Sequence, residues 1–564
     1  MKARHPEESP SHALWRVHYQ WHVPGQIPES SIAATWDRVA LAVSKAETQQ
    51  PDVWRQRFHS ILQDFSFLPS SQVLSGAGTG PEAGLSSCYA IAPTEDSVNG
   101  VFGALRESAL ALQVGAGVGL DFSHLRPRGS YTTACHAPVG ALAYMPLWRE
   151  AAEILQGTDS DPDCASIGLR CDHPDIESYI DAYAEHDLHP LIHREVFASD
   201  AFMEAVKKRA DWPLVFPLRR QTISTPTEIC QRVWAGDAQP QACLVYKHVA
   251  AASLWTRLLQ DEYAHASPRI VFMDTMQREN NLWYAEQLSV NSPCGSVPLP
   301  VGGACNRGSL NLTRFVLQPF SEHPQLDWSS LRLVTAVAIR FLDDVYDISA
   351  YPFKALSHSA HAARRLGLGI TGLHSMFKML GLPYGSPASL DLADRLMQVI
   401  RDTAYQTSME LAREKGPFTA FDRVRHAASP MLLKLSHELQ DAIASHGLRN
   451  SHLLAVASDR RPDQLVDTLS HGIEAAMPGP GPAQSVHPVA ATEVSAEAQL
   501  AIASAVQFHV DNAVTVNIHV PAHTSCTVMD GILRHAWQLQ LKNCRVIRQH
   551  HGDAAAMEAD PMRQ

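Results

Sequence analysis

The sequence contains three cysteines whose surroundings would allow a thiol to do chemistry. Cys294 lies in the segment Ser-Pro-Cys-Gly-Ser, Cys305 follows eleven residues later, and Cys88 lies far upstream in GLSSCYAIAPTEDS. Pro293 and Gly295 predict a tight, specifically shaped loop around one thiol, because both residue types favour turns. A thiol can act as a nucleophile or a redox group, although most cysteines of this kind are small buried hydrophobic residues.

The other residues that could do chemistry form no metal or nucleotide motif. The ten cysteines include no CxxC and the 29 histidines no HExxH, so we predict no metal site. Two glycine clusters, Gly76–Gly80 and Gly115–Gly119, fail to complete GxGxxG because Pro81 and Leu120 occupy the place of the last glycine. We interpret both clusters as tight turns at which the backbone passes close to another group.

The composition is that of an ordinary globular protein. Of 564 residues, 45% are hydrophobic and 18% are charged, which excludes a disordered or fibrous chain. The 46 Lys and Arg against 58 Asp and Glu give a net charge of −12, which argues against direct nucleic-acid binding. No apolar run reaches the ~18 residues of a membrane span, and the N-terminus lacks the apolar core of a secretory signal. We therefore expect a cytoplasmic protein with reduced thiols.

The hydrophobic pattern predicts an α/β protein that begins with helices. Residues 1–70 are predicted to form an N-terminal helical region. From Val73 onward, short apolar runs punctuated by glycine alternate with long helical patterns, which indicates an α/β body. Two helices are predicted clearly, in LRLVTAVAIRFLDDVYD and in LDLADRLMQVIRDTAYQTSMELAREKGP, and Gly416 is predicted to end the second. Residues 521–564 are predicted to be a C-terminal extension with a polar tail.

The cysteine-containing segments resemble those of ribonucleotide reductases, most closely the adenosylcobalamin-dependent (class II) type. In that family the loop around the central cysteine reads Asn-Pro-Cys-Gly-Glu. Matching blocks run in one order from about Ser71 to Pro521: LSGAGTG, LSSCYAIAPTEDS, GAGVGLDFSHLRPRG, DHPDIESYIDA, SDAFMEAV, PRIVFMDTMQREN, PCGSVPLPVGGACNRGSLNLTRFV, RRLGLGITGL, ELAREKGPFTAFDR and QFHVDNAVTVNIHVP. A collinear series of this length is far more specific than any single motif.

The resemblance implies a ten-stranded α/β barrel over residues 71–520, with a central finger loop near residues 291–311 that presents Cys294. In the family this thiol becomes a transient thiyl radical that abstracts the 3′-hydrogen of a ribonucleotide. Cys88 and Cys305 match the pair that supplies two reducing equivalents and closes to a disulfide. Ser71, Ser87 and Gly117 match positions that contact the substrate. The implied cofactor is adenosylcobalamin, and the implied substrate is a ribonucleoside diphosphate or triphosphate used for DNA precursor synthesis.

The loop around Cys294 departs from the family pattern. The family's Asn and Glu, two residues either side of the cysteine, are replaced here by Ser292 and Ser296, which we predict to contact the substrate. In the family the glutamate takes the 3′-hydroxyl proton, and a neutral serine cannot do so near pH 7. Asn291 lies one position too early and would substitute only if the loop shifted. General-base assistance is worth roughly 10²- to 10⁴-fold in rate.

Three further departures concern phosphate binding and re-reduction. After Arg449 and Asn450 the family's Pro-Thr-Gly-Thr loop is replaced by SHLLAVASDRRPDQ, in which we interpret residues 458–462 as a solvated loop. The stretch before DHPDI is acidic (LQGTDSDPDCASIGL) rather than rich in glycine and arginine. Cys526 and Cys544 are too far apart to be the family's C-terminal cysteine pair, so we expect an external thiol reductant such as thioredoxin or glutaredoxin.

Three functional hypotheses remain open from the sequence. The leading one is a class II-like ribonucleotide reductase, which the Pro-Cys-Gly context and the lack of a Tyr-Tyr radical relay near the C-terminus favour over a diiron-dependent enzyme. The second is a catalytically impaired paralogue with a nucleotide-binding or regulatory role, and the third is a radical enzyme that acts on another substrate. The sequence leaves open the phosphate state of the substrate, the effectors and whether the chain forms a homodimer.

Overall fold

A computed structural model shows how the chain folds. The part of the chain that it describes consists of residues 10–23, 25, 28–80, 83–91, 96–130, 139–156, 164–186, 192–218, 228–234, 237, 239–457, 460–466, 470–475 and 494–549. The acidic stretch at 157–163, with Asp159, Asp161 and Asp163, lies outside the described residues, as does most of the predicted polar tail.

Helices occur along the whole described chain. They are α1 (Pro10–His18), α2 (Ile32–Val43), α3 (Pro51–Gln63), α4 (Ser71–Gly76), α5 (Val98–Gln113), α6 (Met145–Gln156), α7 (Ile176–His186), α8 (Asp200–Lys208), α9 (Ala251–His265), α10 (Met273–Arg278), α11 (Trp328–Ile348), α12 (Lys354–Ala363), α13 (Leu373–Met379), α14 (Pro387–Lys415), α15 (Arg423–His426), α16 (His437–His446), α17 (Arg460–Gln464), α18 (Ala496–Gln507) and α19 (Cys526–Gln538).

Strands alternate with many of these helices. They are β1 (Phe67–Pro69), β2 (Cys88–Ile91), β3 (Gly117–Asp121), β4 (Ala165–Arg170), β5 (Ile192–Ala198), β6 (Asp211–Pro217), β7 (Ile229–Val233), β8 (Pro240–Ala250), β9 (Arg269–Phe272), β10 (Val290–Asn291), β11 (Pro298–Leu299), β12 (Ala304–Asn311), β13 (Val316–Leu317), β14 (Gln325–Leu326), β15 (Leu366–Thr371), β16 (Asn517–Pro521) and β17 (Asn543–Gln549).

Both helices that the sequence predicts clearly are confirmed, as α11 and α14. Helix α14 begins after Ser386, whose hydroxyl accepts the N–H of Ser389 at 3.3 Å and so satisfies a backbone donor of the first turn. It ends at Gly416, whose φ of 85° is a conformation that glycine adopts without a steric penalty. The predicted loop at 458–462 is partly wrong, because α17 begins at Arg460, whereas residues 458 and 459 lie outside the described residues.

The chain divides into two compact units, of which the first comprises residues 1–87 and 305–512. In the first unit β12 is the central strand, antiparallel to β1 and parallel to β15. Helices α11 and α14 pack against each other. The carboxylates of α11 are bound by cationic side chains: Arg364 contacts Asp343 at 2.8 Å, and Lys415 contacts Asp344 at 2.5 Å. This ionic network satisfies charges that would otherwise be costly to bury.

The second unit comprises residues 88–304 and 513–564. Its main sheet has β2, β3, β4, β5 and β9 in parallel order, followed by β17 antiparallel to β9 and β16 parallel to β17. A separate antiparallel sheet has the order β6-β8-β7, and β10 pairs with β11 in a short hairpin. Parallel strands joined through helices are typical of α/β folds.

The predicted α/β fold class is confirmed. The three strands around β12 in the first unit and the seven of the main sheet in the second make up the predicted number of ten. Within neither unit do the described strands pair into a closed ring. The predicted domain boundaries at residues 70 and 520 stay a prediction. Among the described residues, no helix is both long and apolar enough to cross a membrane.

Glu262 is a buried carboxyl group of the second unit whose pKa is raised. Glu262 on α9 is 1% exposed, and its Oε1 accepts the N–H of Val546 on β17 at 2.7 Å. Burial raises the pKa of Glu262 to about 8, and the hydrogen bond from Val546 and the charge of Arg545 only partly oppose this effect. The folded chain therefore holds a proton on this group at pH values at which the unfolded chain has lost it.

We predict that Glu262→Gln gains stability relative to the parent as pH rises from 5 to 8. The parent loses up to about 1.4 kcal/mol per pH unit in this window, because folding keeps one proton that the unfolded state releases, whereas glutamine keeps the acceptor and does not ionise. Thermal midpoints at pH 5, 6.5 and 8 measure the difference, which should level off above pH 8. The half-exposed Glu204 supplies the control, Glu204→Gln. A constant difference across this range would contradict the prediction.

Candidate active site

The cysteine loop predicted from the sequence is a buried hairpin in the second unit. Strands β10 and β11 pair Val290 with Leu299 and Asn291 with Pro298, and the turn between them carries Cys294. Gly295 has a φ of 86°, which favours glycine, and its N–H donates to the carbonyl of Ser292 at 2.7 Å. Cys294 is only 8% exposed, so the turn forms inside the unit rather than at its surface.

The carbonyl oxygens of this turn are all held by hydrogen bonds from elsewhere in the second unit or across the turn. The donors are Arg269 Nη1 to Pro293 at 3.0 Å, Thr515 Oγ1 to Cys294 at 2.6 Å, Asn291 Nδ2 and Asn543 Nδ2 to Gly295 at 3.2 and 2.9 Å, and the N–H of Ala513 to Ser296 at 2.8 Å. Buried backbone acceptors need such partners, so these bonds fix the position of the cysteine.

Two hydroxyl groups flank the thiol of Cys294. Its Sγ lies 3.0 Å from Ser292 Oγ and 3.2 Å from Ser296 Oγ. Both serines are fully buried, and Ser292 Oγ also accepts the N–H of Val297 at 3.0 Å. The two residues that replace the family's Asn and Glu are therefore brought next to the sulfur, and the polar groups that contact it are uncharged.

The hairpin lies directly on strands β3 and β4. An added Cβ at Gly119 would stand 2.3 Å from the carbonyl oxygen of Asn291, so no larger residue fits there. Ser166 Oγ on β4 donates to the same carbonyl at 3.2 Å. The interpretation of the second glycine cluster as a site of close backbone approach is confirmed at Gly119.

An ion pair that the sequence analysis missed supports the other side of the turn. Arg269 on β9 contacts Glu195 on β5 at 3.0 Å, and both side chains are almost fully buried. Burial raises the pKa of Glu195 to about 7, although the charges of Arg269 and Arg545 lower it. The two residues lie 74 positions apart, and only the pairing of β5 with β9 brings them together.

Cys88 and Gly117, both predicted site residues, face each other in the second unit. Cys88 begins β2 and Gly117 begins β3, and these two residues are partners in the parallel register of the strands. Cys88 is 2% exposed and Gly117 is half-buried. A glycine opposite the cysteine leaves open the space that a side chain would fill.

The remaining predicted residues lie in the first unit. Cys305 on β12 is fully buried, and its carbonyl accepts the N–H of Ser87 at 3.0 Å. Ser87 Oγ accepts the N–H of Arg307 at 3.1 Å, and Ser71 Oγ lies 3.1 Å from the hydroxyl of Tyr19. The two hydrogen bonds of Ser87 hold it beside β12.

Tyr346 on α11 is the aromatic neighbour of Cys305. Its hydroxyl donates to the carbonyl of Arg365 at 2.5 Å. Burial, with the nearby Cys305, raises the pKa of Tyr346 well above its usual value. The phenol beside this thiol is therefore neutral at physiological pH. The pairing of Cys88 with Cys305 stays a prediction.

Arg449 and Asn450, which precede the altered phosphate loop, are bound within the first unit. Arg449 Nε donates to Asp343 at 3.2 Å and Asn450 Nδ2 donates to the same carboxylate at 2.8 Å. The pKa of Asp343 lies below its usual value because Arg364, Arg449 and Asn450 together outweigh the effect of its burial. These two residues serve the packing of α11.

The fold and the site together define an α/β protein that encloses one thiol at the tip of a buried hairpin. Residues 86–474 match the family model "Ribonucleotide reductase, barrel domain". The chain is 30% identical over 571 residues to a vitamin B12-dependent ribonucleoside-diphosphate reductase of Mycobacterium tuberculosis, covering 94% of this chain and 78% of the relative. The chain belongs to the ribonucleotide reductase family, as the resemblance in its sequence predicted.

More distant relatives are similar over a smaller part of their length. A vitamin B12-dependent ribonucleoside-diphosphate reductase of Thermoplasma acidophilum is 26% identical over 367 residues, which cover 65% of this chain and 44% of the relative. The ribonucleoside-diphosphate reductase large subunit of Variola virus is 26% identical over 422 residues, covering 70% of this chain and 53% of that protein. The similarity therefore extends to large chains whose names do not include vitamin B12.

We predict that Gly295→Ala destabilises the chain more than Gly302→Ala. Both glycines have positive φ, so each substitution costs about 1–2 kcal/mol in backbone strain. At Gly295 the new Cβ would also stand 2.7 Å from Arg269 Nη1, whereas nothing lies within 4 Å of a Cβ at Gly302. Thermal midpoints of the two variants give the comparison. Equal losses would show that Arg269 does not confine the turn.

Proposed function

We propose that this chain reduces ribonucleoside diphosphates to 2′-deoxyribonucleotides by thiyl-radical chemistry, with Cys294 as the radical carrier. The observation that carries the proposal is the thiol of Cys294, enclosed at the tip of a hairpin whose carbonyls are all held. The relatives from Mycobacterium tuberculosis and Thermoplasma acidophilum, whose names state this activity, support the choice of substrate. An assay with ribonucleoside diphosphates and triphosphates side by side decides whether triphosphates are also reduced.

The surroundings of Cys294 suit hydrogen-atom transfer. Such a transfer requires the sulfur to be held close to the ribose and water to be excluded, because a displacement of 1 Å can be costly. The hydrogen bonds to the turn meet the first requirement and the burial of Ser292 and Ser296 meets the second. Hydroxyl neighbours at 3.0 and 3.2 Å can reorient as the sulfur loses and regains its hydrogen.

Vitamin B12, in its adenosyl form, is the cofactor that we propose. When bound, this cofactor supplies an organic radical that can take a hydrogen atom from a thiol. The residue of this chain that fits the reaction is Cys294, because its thiol is buried among neutral groups. The relatives named vitamin B12-dependent support this assignment.

Cys88 and Cys305 are proposed to supply the two electrons. In the net reaction the 2′-hydroxyl leaves as water with one thiol hydrogen, the other thiol hydrogen forms the new C2′–H bond, and one disulfide bond forms between the sulfurs. An external dithiol such as thioredoxin or glutaredoxin then returns both thiols to the reduced form. Within the described residues both sulfurs are thiols, which is the state needed before turnover.

We expect slow turnover of the ribonucleotide because Ser296 replaces a carboxylate. A serine hydroxyl cannot accept the 3′-hydroxyl proton as a carboxylate does, so turnover should be about 10²- to 10⁴-fold slower than with a carboxylate in the loop. Ser71, Ser87, Gly117 and Ser292 are proposed to contact the substrate. The cytoplasmic location and a homodimeric state stay predictions.

The decisive experiment is an anaerobic assay with adenosylcobalamin, dithiothreitol and each of the four ribonucleoside diphosphates and triphosphates. We predict a deoxynucleotide product from the parent chain and none from Cys294→Ser, because an alcohol O–H is much harder to break homolytically than a thiol S–H. The half-buried Cys526 on α19 gives the matched control, Cys526→Ser, which should keep the parent activity.

The absence of product with every nucleotide, beside an active control reductase, would refute the proposal and favour the impaired paralogue. Equal activity of the parent and Cys294→Ser would leave a nucleotide reductase but remove Cys294 from its chemistry. Measuring all eight nucleotides at one concentration also decides between the diphosphate and the triphosphate.

A further inference from the structure

A second pair of cysteines faces each other in the antiparallel sheet β6-β8-β7. In the register of β7 and β8, Cys230 is the partner of Cys243. Cys243 lies on the central strand and is fully buried, whereas Cys230 lies on the edge strand β7 and is half-buried. Both sulfurs are thiols in the structure, and the chemistry proposed for Cys294 does not use them.

The Cα separation expected for this pair lies within the range found in disulfides. The N–H of Val245 donates to the carbonyl of Glu228 at 3.1 Å, and these residues lie two positions from the cysteines on each strand. Because the two kinds of pair alternate along an antiparallel ladder, Cys230 and Cys243 form a hydrogen-bonded pair, for which the Cα atoms are about 5.5 Å apart. Disulfides span roughly 4.4–6.8 Å between Cα atoms.

The two side chains lie on the same face of the sheet. Directly opposite residues in a sheet point the same way, and Cys230 packs against the hydrophobic cluster that contains Cys243, Phe216 and Trp234. Burial raises the pKa of Cys243, and the nearby Cys230 raises it further.

We propose that Cys230 and Cys243 form a thiol–disulfide exchange site that reacts with a low-molecular-weight disulfide of the glutathione type. Cys230 is the accessible thiol, and Arg232 lies two residues along on the same face of β7. Burial, Asp172 and Glu228 raise the pKa of Cys230 and the charge of Arg232 lowers it; Arg232 would also attract the carboxylates of such a disulfide. This proposal is independent of the nucleotide reduction at Cys294.

The reaction balances as two consecutive exchanges. The Cys230 thiolate attacks one sulfur of the small disulfide, whose S–S bond breaks, and one small thiol leaves. The thiolate of Cys243 then attacks Cys230, the mixed disulfide breaks, and the second small thiol leaves. In total the protein loses two protons and two electrons, and the small disulfide gains them as two thiols.

Burial affects the rate and the stability of this bond in opposite directions. It raises the pKa of Cys243 to about 12, so the second exchange is slow because little thiolate is present. It also disfavours the thiolate form of the reduced pair, so the disulfide, once formed, resists reduction. The bond would tie the edge strand β7 to β8 beside a cavity of about 290 Å³ whose wall includes Arg232, Val233 and Trp234.

The experiment incubates the full-length chain with glutathione disulfide and maps its cysteines by mass spectrometry after alkylation. In the parent, after an incubation long enough for the slow second exchange to finish, we expect a cross-linked Cys230–Cys243 peptide without a glutathione adduct. In Cys243→Ser, Cys230 lacks its resolving thiol, so we expect its glutathione adduct to accumulate at least tenfold over the parent. Cys526→Ser is the matched control and should behave as the parent does.

Two outcomes would overturn the proposal. The first is an unmodified Cys230 in the parent at glutathione disulfide concentrations that modify the half-buried Cys526. The second is an equal Cys230 adduct in the parent and in Cys243→Ser, which would show that the thiols do not exchange. The parent alone supplies the cross-link result, so the test does not depend on the folding of a variant. Peptide mapping also separates this bond from one between Cys88 and Cys305, so the result is independent of activity.

Discussion

The position of the Cys294 thiol depends on hydrogen bonds that a tight turn cannot make within itself. A buried turn of this kind leaves its carbonyl oxygens facing the interior, where each unpaired acceptor is costly. Here the partners come from β9, from β17 and from residues 513–515, all of which must be in place before the turn is stable. Residues on the sheet of the second unit therefore fix the shape of the turn. Gly119 has no side chain, which lets the carbonyl of Asn291 approach the sheet.

Two tasks at this hairpin, holding the sulfur and moving a proton, fall to different residues. Holding the sulfur falls to Arg269, Thr515 and Asn543, none of which belongs to the loop. Moving a proton would require a carboxylate in the loop, and Ser296 replaces it. The carboxylate that does lie beside this turn, Glu195, is bound by Arg269 and so belongs to the first task. The loss of the base therefore leaves the support of the thiol intact.

Local sequence predicted the parts of the site that local chemistry controls. Pro293 and Gly295 predict the turn, and the φ of Gly295 confirms why glycine is needed there. The ends of α14 follow from Ser386 and Gly416 in the same way. The ion pair of Glu195 and Arg269 could not be predicted in this way. The two residues lie on strands that are distant in the sequence, and only the pairing of β5 with β9 brings their charges together. Thr515 and Asn543 were missed for the same reason.

The ten cysteines show how far spacing alone can be used. The turn around Cys294 can be predicted from five consecutive residues, because proline and glycine determine the backbone conformation at their own positions. Cys230 and Cys243 are 13 residues apart and carry no motif, and what makes them a pair is the register of β7 on β8. A shift of one residue in that register would turn one of the two thiols to the opposite face of the sheet. The two cysteines pack in one cluster with Phe216 of β6 and with Trp234, so this pair becomes visible only once the sheet has formed.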